Sequence, residues 1–298
     1  MEYVRKTDNQ GNIIRFKRFQ GRCFNKDIPG NVGDQLEKVA NLQCRPDDVL
    51  LCTYPKSGTH WLFNTARMLQ MGIIQYSGTP EMIEHQDLRV IDNMKFPRMF
   101  HTHLNYQFIP KMAKDGQLKI IYLVRNPKDV ACSSHIFQSK LQNASYTGNF
   151  DGFLNAFLSE EFLGYDGSWF THTKEWNTAR LTNPDLKILF LKFEDMKKNL
   201  HTNIVQIAKF LEVNDEERFL KKVEEAVGFE NLKKEHATRL GESDRWKHLG
   251  DNGRMPIYRK GIVGDWKTKF TVAQNEKFDE VFEEKMEDIS ASLDIVYE

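Results

Sequence analysis

The chain has 298 residues, enough for one large α/β domain or two small ones, and its 42 Lys and Arg balance 42 Asp and Glu to a formal net charge of zero. No overall field therefore draws it to nucleic acid or to a membrane, and any basic site has to be local. The four cysteines, Cys23, Cys44, Cys52 and Cys132, show no Cys-x-x-Cys spacing, no run of 18 apolar residues occurs, and the opening Met-Glu-Tyr-Val-Arg-Lys-Thr-Asp lacks an apolar signal core, so buried free thiols and a cytoplasmic location are expected.

The first strongly patterned segment is the apolar run at 49–52, read as a strand over 48–54. It leads into Thr53-Tyr-Pro-Lys-Ser-Gly-Thr-His-Trp61 and then into helical spacing at Leu62, Ala66 and Leu69. A buried strand, a sharp turn and a helix N-terminus make an anion cradle, because backbone N–H groups and the positive end of the helix dipole converge on one spot. Gly58 admits a close backbone approach, Lys56 adds a point charge, and Ser57 and Thr59 add hydroxyl donors, so the expected ligand is a phosphate or a sulfate. The turn is not the nucleoside-triphosphate loop, since its lysine precedes the glycine, no earlier glycine sets it up, and Pro55 stiffens it instead.

Further strands are read over 98–103, 118–125 and 186–193, separated by helical segments. The alternation predicts a single α/β domain over residues 1–298 around a central, mostly parallel sheet flanked by helices. His101 and His103 share a face near the C-terminal end of the second strand, where open α/β sheets bind ligands. A neutral imidazole there suits removal of a hydroxyl proton. The spacing also allows zinc, although no cysteine or carboxylate cluster accompanies it and no metal is expected. Arg125 follows the third strand and Ser133 sits two turns into the next helix; the planar guanidinium fits a phosphate bidentately or pairs with Asp129 one turn on. The Asn143-Ala144-Ser145 sequon is expected to be idle.

Gly167-Ser168 caps a helix with Trp169 and Trp176 on a core stripe, and Leu200, Ile204, Ile207, Ala208 and Leu211 keep one helical face, as do Phe219, Leu220, Val223 and Val227. Residues 236–260 hold glycine and charge but few apolar positions and read as a mobile lid. Arg259 and Lys260 then set two cations beside Gly261, and a C-terminal helix is read over 272–293 with Phe278, Phe282, Ile289 and Leu293 inward.

Pro55-Lys-Ser-Gly-Thr-His-Trp61, followed far along the chain by Arg259-Lys-Gly-Ile-Val-Gly-Asp-Trp-Lys-Thr-Lys-Phe-Thr271, resembles the two signatures of the cytosolic sulfotransferases that use 3′-phosphoadenosine 5′-phosphosulfate (PAPS), and the likeness runs from about residue 15 to 295. It implies the P-loop-like sulfotransferase fold, PAPS as co-substrate, its desulfated form (PAP) as product, and no metal requirement. It also implies His103 as general base in an in-line transfer and Lys56 as the cation at the leaving phosphate. Ser57, Gly58, Thr59 and His60 would hold the 5′ end, Arg125, Ser133, Arg259, Lys260 and Gly261 the 3′-phosphate, and Trp61, Phe193, Val227 and Phe229 the adenine.

The chain departs from the family at four of these places: His101 replaces a usual lysine that helps neutralise the group in flight, His60 and Val227 replace threonines, and Phe193 replaces a tyrosine. Lost hydroxyls predict weaker donor binding, and His101 could take the lysine's part only when protonated. Phe24, Tyr106, Phe108, Phe137, Leu141 and Tyr146 are the expected wall of a pocket for a small hydrophobic hydroxyl- or amine-bearing acceptor, with phenol, steroid, amine and aliphatic alcohol all open. Lys267, Thr271, Val272 and Glu276 resemble a short dimer motif, implying a homodimer. An ATP-dependent small-molecule kinase of related fold, a catalytically silent nucleotide-binding protein and a zinc protein remain the alternatives.

Overall fold

The computed structural model describes residues 2–8, 10–141, 146–159, 167–238 and 257–297. The sequon, and the expected lid apart from 236–238 and 257–260, lie outside the described residues. Strands β4 (Val49–Thr53), β5 (Glu81–Met82), β6 (Met99–Thr102), β7 (Lys119–Val124) and β8 (Ile188–Lys192) form a five-stranded sheet in the order β5-β6-β4-β7-β8 with every neighbouring pair parallel. Cys52 stands opposite Thr102 on one side and Tyr122 on the other, so the carboxyl ends of β4, β6 and β7 finish level.

Both faces of this sheet are covered, which is why its strands read as unbroken apolar runs rather than as an alternation. Along β7, Ile121 and Leu123 point into a core shared with Leu62, Ala66, Ile204 and Val223 of the helices Thr59–Met71, Leu200–Leu211 and Glu217–Ala226. Ile120, Tyr122 and Val124 point into the other core, with Val130, Phe157, Trp169, Trp176 and Phe278 of Pro127–Gln138, Phe150–Leu158, Trp169–Thr182 and Val272–Met286. Trp169 and Trp176 are fully buried core residues, and Ser168 caps their helix by accepting from the Thr171 N–H at 3.1 Å. A buried Arg98–Asp48 pair, with Arg98 Nε 2.8 Å from Asp48 Oδ1, fixes the start of β6 against the entry to β4.

The C-terminal segment departs from the single helix expected over 272–293: Val272–Met286 ends near Met286 and a short turn of helix follows at Ser290–Leu293. An antiparallel sheet of β1 (Glu2–Thr7), β2 (Ile13–Phe19) and β3 (Arg22–Phe24) was not anticipated. Basic residues interrupt its hydrophobic pattern, yet Gln20 and Gly21 both take positive φ (49° and 75°) between the paired Phe19 and Arg22, the two-residue turn that a Gly-containing hairpin requires. All four cysteines, Cys23, Cys44, Cys52 and Cys132, are buried. Among the described residues no helix is long and apolar enough to cross a membrane.

Candidate active site

Because β6 lies on one side of β4 and β7 on the other, a crevice opens at their carboxyl ends. The turn after β4 builds its floor. Lys56 (φ 68°) and Gly58 (φ 107°) both adopt left-handed backbone, and Gly58 leads the helix Thr59–Met71 with no side-chain cap on the helix N–H groups. A Cβ on Gly58 would stand 2.9 Å from the Phe193 ring, so the position needs glycine for space as well as for φ. Ser57 is fully buried and its Oγ has no partner, while Thr59 Oγ1 lies 2.6 Å from Thr53 Oγ1. Lys56 Nζ sits 3.9 Å from the centroid of Phe137, and burial, reinforced by Arg125 and Arg259, pushes its pKa down to about 7.

His103 follows β6 directly. Its Nδ1 is 2.7 Å from the Thr53 carbonyl, which can only accept, so the neutral ring carries its proton on Nδ1 and its lone pair on Nε2. Burial and the Lys56 charge outweigh the Thr53 bond and lower its pKa to about 4. The loop is held from behind by Glu84, fully buried, whose Oε1 accepts the His103 N–H at 2.7 Å and whose Oε2 accepts the Thr102 hydroxyl at 2.9 Å. His101 is 3% exposed, with Nδ1 3.1 Å from the Glu81 carbonyl and its ring centroid 5.1 Å from that of His103.

Arg125 leaves β7 into the same crevice. It donates to the carbonyls of Lys56 (3.1 Å) and Ile262 (3.2 Å), stacks 4.3 Å over Phe193, and keeps Nε buried without a partner. Asp129 lies 3.6 Å away, so Arg125 both makes the salt bridge and lines the cavity. Asp129 also accepts the N–H groups of Gly264 (3.0 Å) and Trp266 (2.9 Å), which docks the C-terminal loop onto the helix Pro127–Gln138. In that loop Arg259 and Lys260 both pair with Asp265; burial alone would raise the Asp265 carboxyl, but the bonds from Lys260 and Arg259 hold it below the usual range. Arg259 Nε, like Arg125 Nε, is buried and unpartnered. A Cβ on Gly261 would meet the Phe229 ring at 2.3 Å.

One cavity of about 570 Å³ joins these parts, lined by Lys56, Gly58, Thr59, His60 and Trp61, by His101, His103, Arg125 and Ser133, by Phe193, Val227 and Phe229, and by Arg259, Lys260 and Gly261. Trp61 meets Phe193 edge-on at 5.4 Å and anchors its Nε1 to the Val227 carbonyl at 3.1 Å. His60 points an unpartnered Nδ1 into buried space, and burial with the neighbouring Lys56, His236 and His103 drops its pKa to about 3, so it meets an anion as a neutral ring. The expected acceptor wall is only partly there: Phe137 and Leu141 line the cavity, but Phe24, Tyr106, Phe108 and Tyr146 do not. Phe24 is fully buried against Phe108 (5.4 Å), Tyr106 rests on Trp176 (5.4 Å), and the Tyr146 hydroxyl is drawn away to Asp8 (2.7 Å). Asn25, Asp27, Pro80, Met82 and His85, residues no motif marked, line the cavity as well. Among the described residues no three His, Cys, Asp or Glu side chains come together in a way that could hold a metal ion.

Fold and site together define an α/β enzyme with an anion cradle at a sheet switch point and a histidine beside it. The sulfotransferase domain matches residues 46–290 of the chain. Sulfotransferase 4A1 of Homo sapiens is 34% identical over 268 residues, covering 87% of each chain, and the amine sulfotransferase of Oryctolagus cuniculus is 34% identical over 269 residues, covering 85% of each. Mouse sulfotransferase SULT7A1, solved in complex with PAP, superposes with a TM-score of 0.72 at 31% identity, over 92% of this chain and 95% of that one. The chain belongs to the sulfotransferase family.

Proposed function

We propose that this protein moves the sulfuryl group of PAPS to a hydroxyl or amine of a small hydrophobic acceptor and releases PAP. The observation that carries the reading is a set of buried donors without partners in two places: Arg125 Nε and Arg259 Nε, on residues that line one cavity, and Ser57 Oγ, on the turn between its lining residues Lys56 and Gly58. Buried polar groups are otherwise nearly always bonded, so these await an anion, and a ligand phosphorylated at both ends of its ribose answers both places. The PAP held by the mouse relative and the acceptor named for the rabbit one point the same way.

In this reading the 5′-phosphosulfate lies on Ser57, Gly58, Thr59 and His60, and the 3′-phosphate lies between Arg125, Ser133, Arg259, Lys260 and Gly261. The adenine lies among Trp61, Phe193, Val227 and Phe229. His103 Nε2 takes the acceptor proton while the acceptor attacks sulfur in line, and the electron pair of the breaking S–O bond goes to the 5′-phosphate oxygen beside Lys56. The transferred group carries less charge than a phosphoryl group, so fixed cations and N–H dipoles suffice to hold it. We place the protein in the cytoplasm, where its buried thiols stay reduced. We also read it as a homodimer through Lys267, Thr271, Val272 and Glu276, all exposed.

Incubation with radiolabelled PAPS and a panel of phenols, sterols and amines, without divalent metal, tests this. Label should pass to at least one acceptor, and His103→Ala should lower the rate about 100-fold or more. Calorimetry should find adenosine 5′-phosphosulfate, which lacks the 3′-phosphate, much weaker than PAPS. Equal binding of the two, or full activity of His103→Ala, overturns the proposal.

A further inference from the structure

Arg259 and Lys260 line the cavity, and both are tied from behind to one carboxylate. Arg259 Nη2 donates to Asp265 Oδ2 and Lys260 Nζ to Asp265 Oδ1, so each oxygen holds one cation. Asp265 is 2% exposed and stands off the cavity wall, at the start of the short helical turn Asp265–Thr268. Burial alone would raise its carboxyl, but the bonds from Lys260 and Arg259 hold it below the usual range, so it is charged at neutral pH. A different carboxylate docks the loop. Asp129 accepts the N–H groups of Gly264 and Trp266, one on each side of Asp265. The Asp265 carboxylate takes the two cations and, at 3.4 Å, the Thr268 hydroxyl.

A carboxylate so placed acts on both states of the site. With the site empty, it gives Arg259 and Lys260 a partner and so stabilises the unloaded protein. With a phosphate monoester on the same cations, it competes for their N–H groups and repels a charge of about −1.5 to −2. Both effects weaken the grip on that phosphate. The other end of the cavity is built differently: among the described residues no carboxylate pairs with Lys56, whose Nζ rests on the Phe137 ring at 3.9 Å. One end of a doubly anionic ligand thus meets an uncountered cation, and the other meets cations that already have a partner. We propose that Asp265 limits how tightly the 3′-phosphate is held and so sets the release of PAP, by taking back Arg259 and Lys260 as the phosphate leaves. The inference rests on the transferase reading above and adds a residue to it. Asp265 touches no reacting atom; it is a positioning residue that acts through Arg259 and Lys260.

Calorimetry with PAP and with adenosine 5′-phosphate, which lacks the 3′-phosphate, isolates the effect. The wild type should bind PAP more tightly than adenosine 5′-phosphate. Asp265→Asn, which removes the charge and keeps the shape, should tighten PAP about tenfold or more and slow its dissociation in stopped flow by a similar factor. Affinity for adenosine 5′-phosphate should change by less than about twofold, because that ligand leaves Arg259 and Lys260 with their partner. Asp265→Glu, which keeps the charge, should stay near the wild-type ratio of the two affinities. A purely structural Asp265 would give weaker PAP binding in Asp265→Asn, and that result overturns the inference, as does an unchanged ratio. Failure of both Asp265→Asn and Asp265→Ser to fold, with Asp129 intact, would make Asp265 a docking group and overturns it too. In each of these cases the transferase reading stands. Equal binding of PAP and adenosine 5′-phosphate by the wild type overturns both.

Discussion

Glu84 bears no reacting atom, yet its two oxygens hold the backbone of His103 and the hydroxyl of Thr102. Glu84→Gln leaves one of those donors facing an amide NH2. We expect kcat to fall by about 10- to 100-fold, matching ~1.5–3 kcal/mol for a hydrogen bond to a charged group, with PAP affinity nearly intact. An equal loss of PAP affinity would instead mark Glu84 as a general support of the fold. Lys56 makes a pH prediction. Its pKa is lowered to about 7 when the site is empty, and an incoming anion raises it, so binding takes up a proton. PAP affinity should therefore fall as pH climbs from 7 towards 9, and calorimetry at pH 7.5 in buffers of different ionisation enthalpy should register net proton uptake. At this scale the sequence was informative where function is local. Lys56, Ser57, Gly58 and Thr59 were read as one turn before a helix, and they form that turn at the head of Thr59–Met71. Glu84 was not legible, because what it holds lies 18 and 19 residues further on and only the pairing of β5 with β6 brings them together.

Asp129 works between elements. Fully buried, it joins the start of Pro127–Gln138 to Arg125 and to the loop at Gly264–Trp266, so these two parts of the cavity's surroundings share one carboxylate. Asp129→Ala strands two backbone N–H groups and a buried guanidinium, and should cost about 3–5 kcal/mol in urea unfolding while weakening PAP binding. A change under about 1 kcal/mol would show that the loop docks by packing alone. Strand positions were readable because buried parallel strands leave uninterrupted apolar runs, and each of the four expected strands formed within two residues of its expected limits. Four of the aromatics expected in the acceptor wall lie off the described cavity for the opposite reason. Phe24, Tyr106, Phe108 and Tyr146 look like pocket residues by type, but aromatic side chains pack as readily on each other, and the choice between core and cavity is made by tertiary contacts that periodicity does not encode.

Among the described residues Val272 is the most exposed of the large apolar side chains, at 76%, and stands at the first turn of Val272–Met286 beside Thr271, which closes a capping box with Gln274. If this surface pairs two copies about a two-fold axis, Val272→Glu places like charges opposite each other and should shift the sedimenting species from dimer to monomer at micromolar concentration. An unchanged sedimentation profile would assign the exposed valine no role in assembly.

The two-residue strand β5 joins concerns that enzymes commonly keep apart. Its Glu81 carbonyl orients one histidine, Glu84 just beyond it steadies the other, and Pro80 and Met82 touch whatever fills the cavity. A poorly fitting guest that nudges this short edge would also misalign both imidazoles. Discrimination among acceptors should then register in turnover more than in occupancy, with misfits bound but seldom converted.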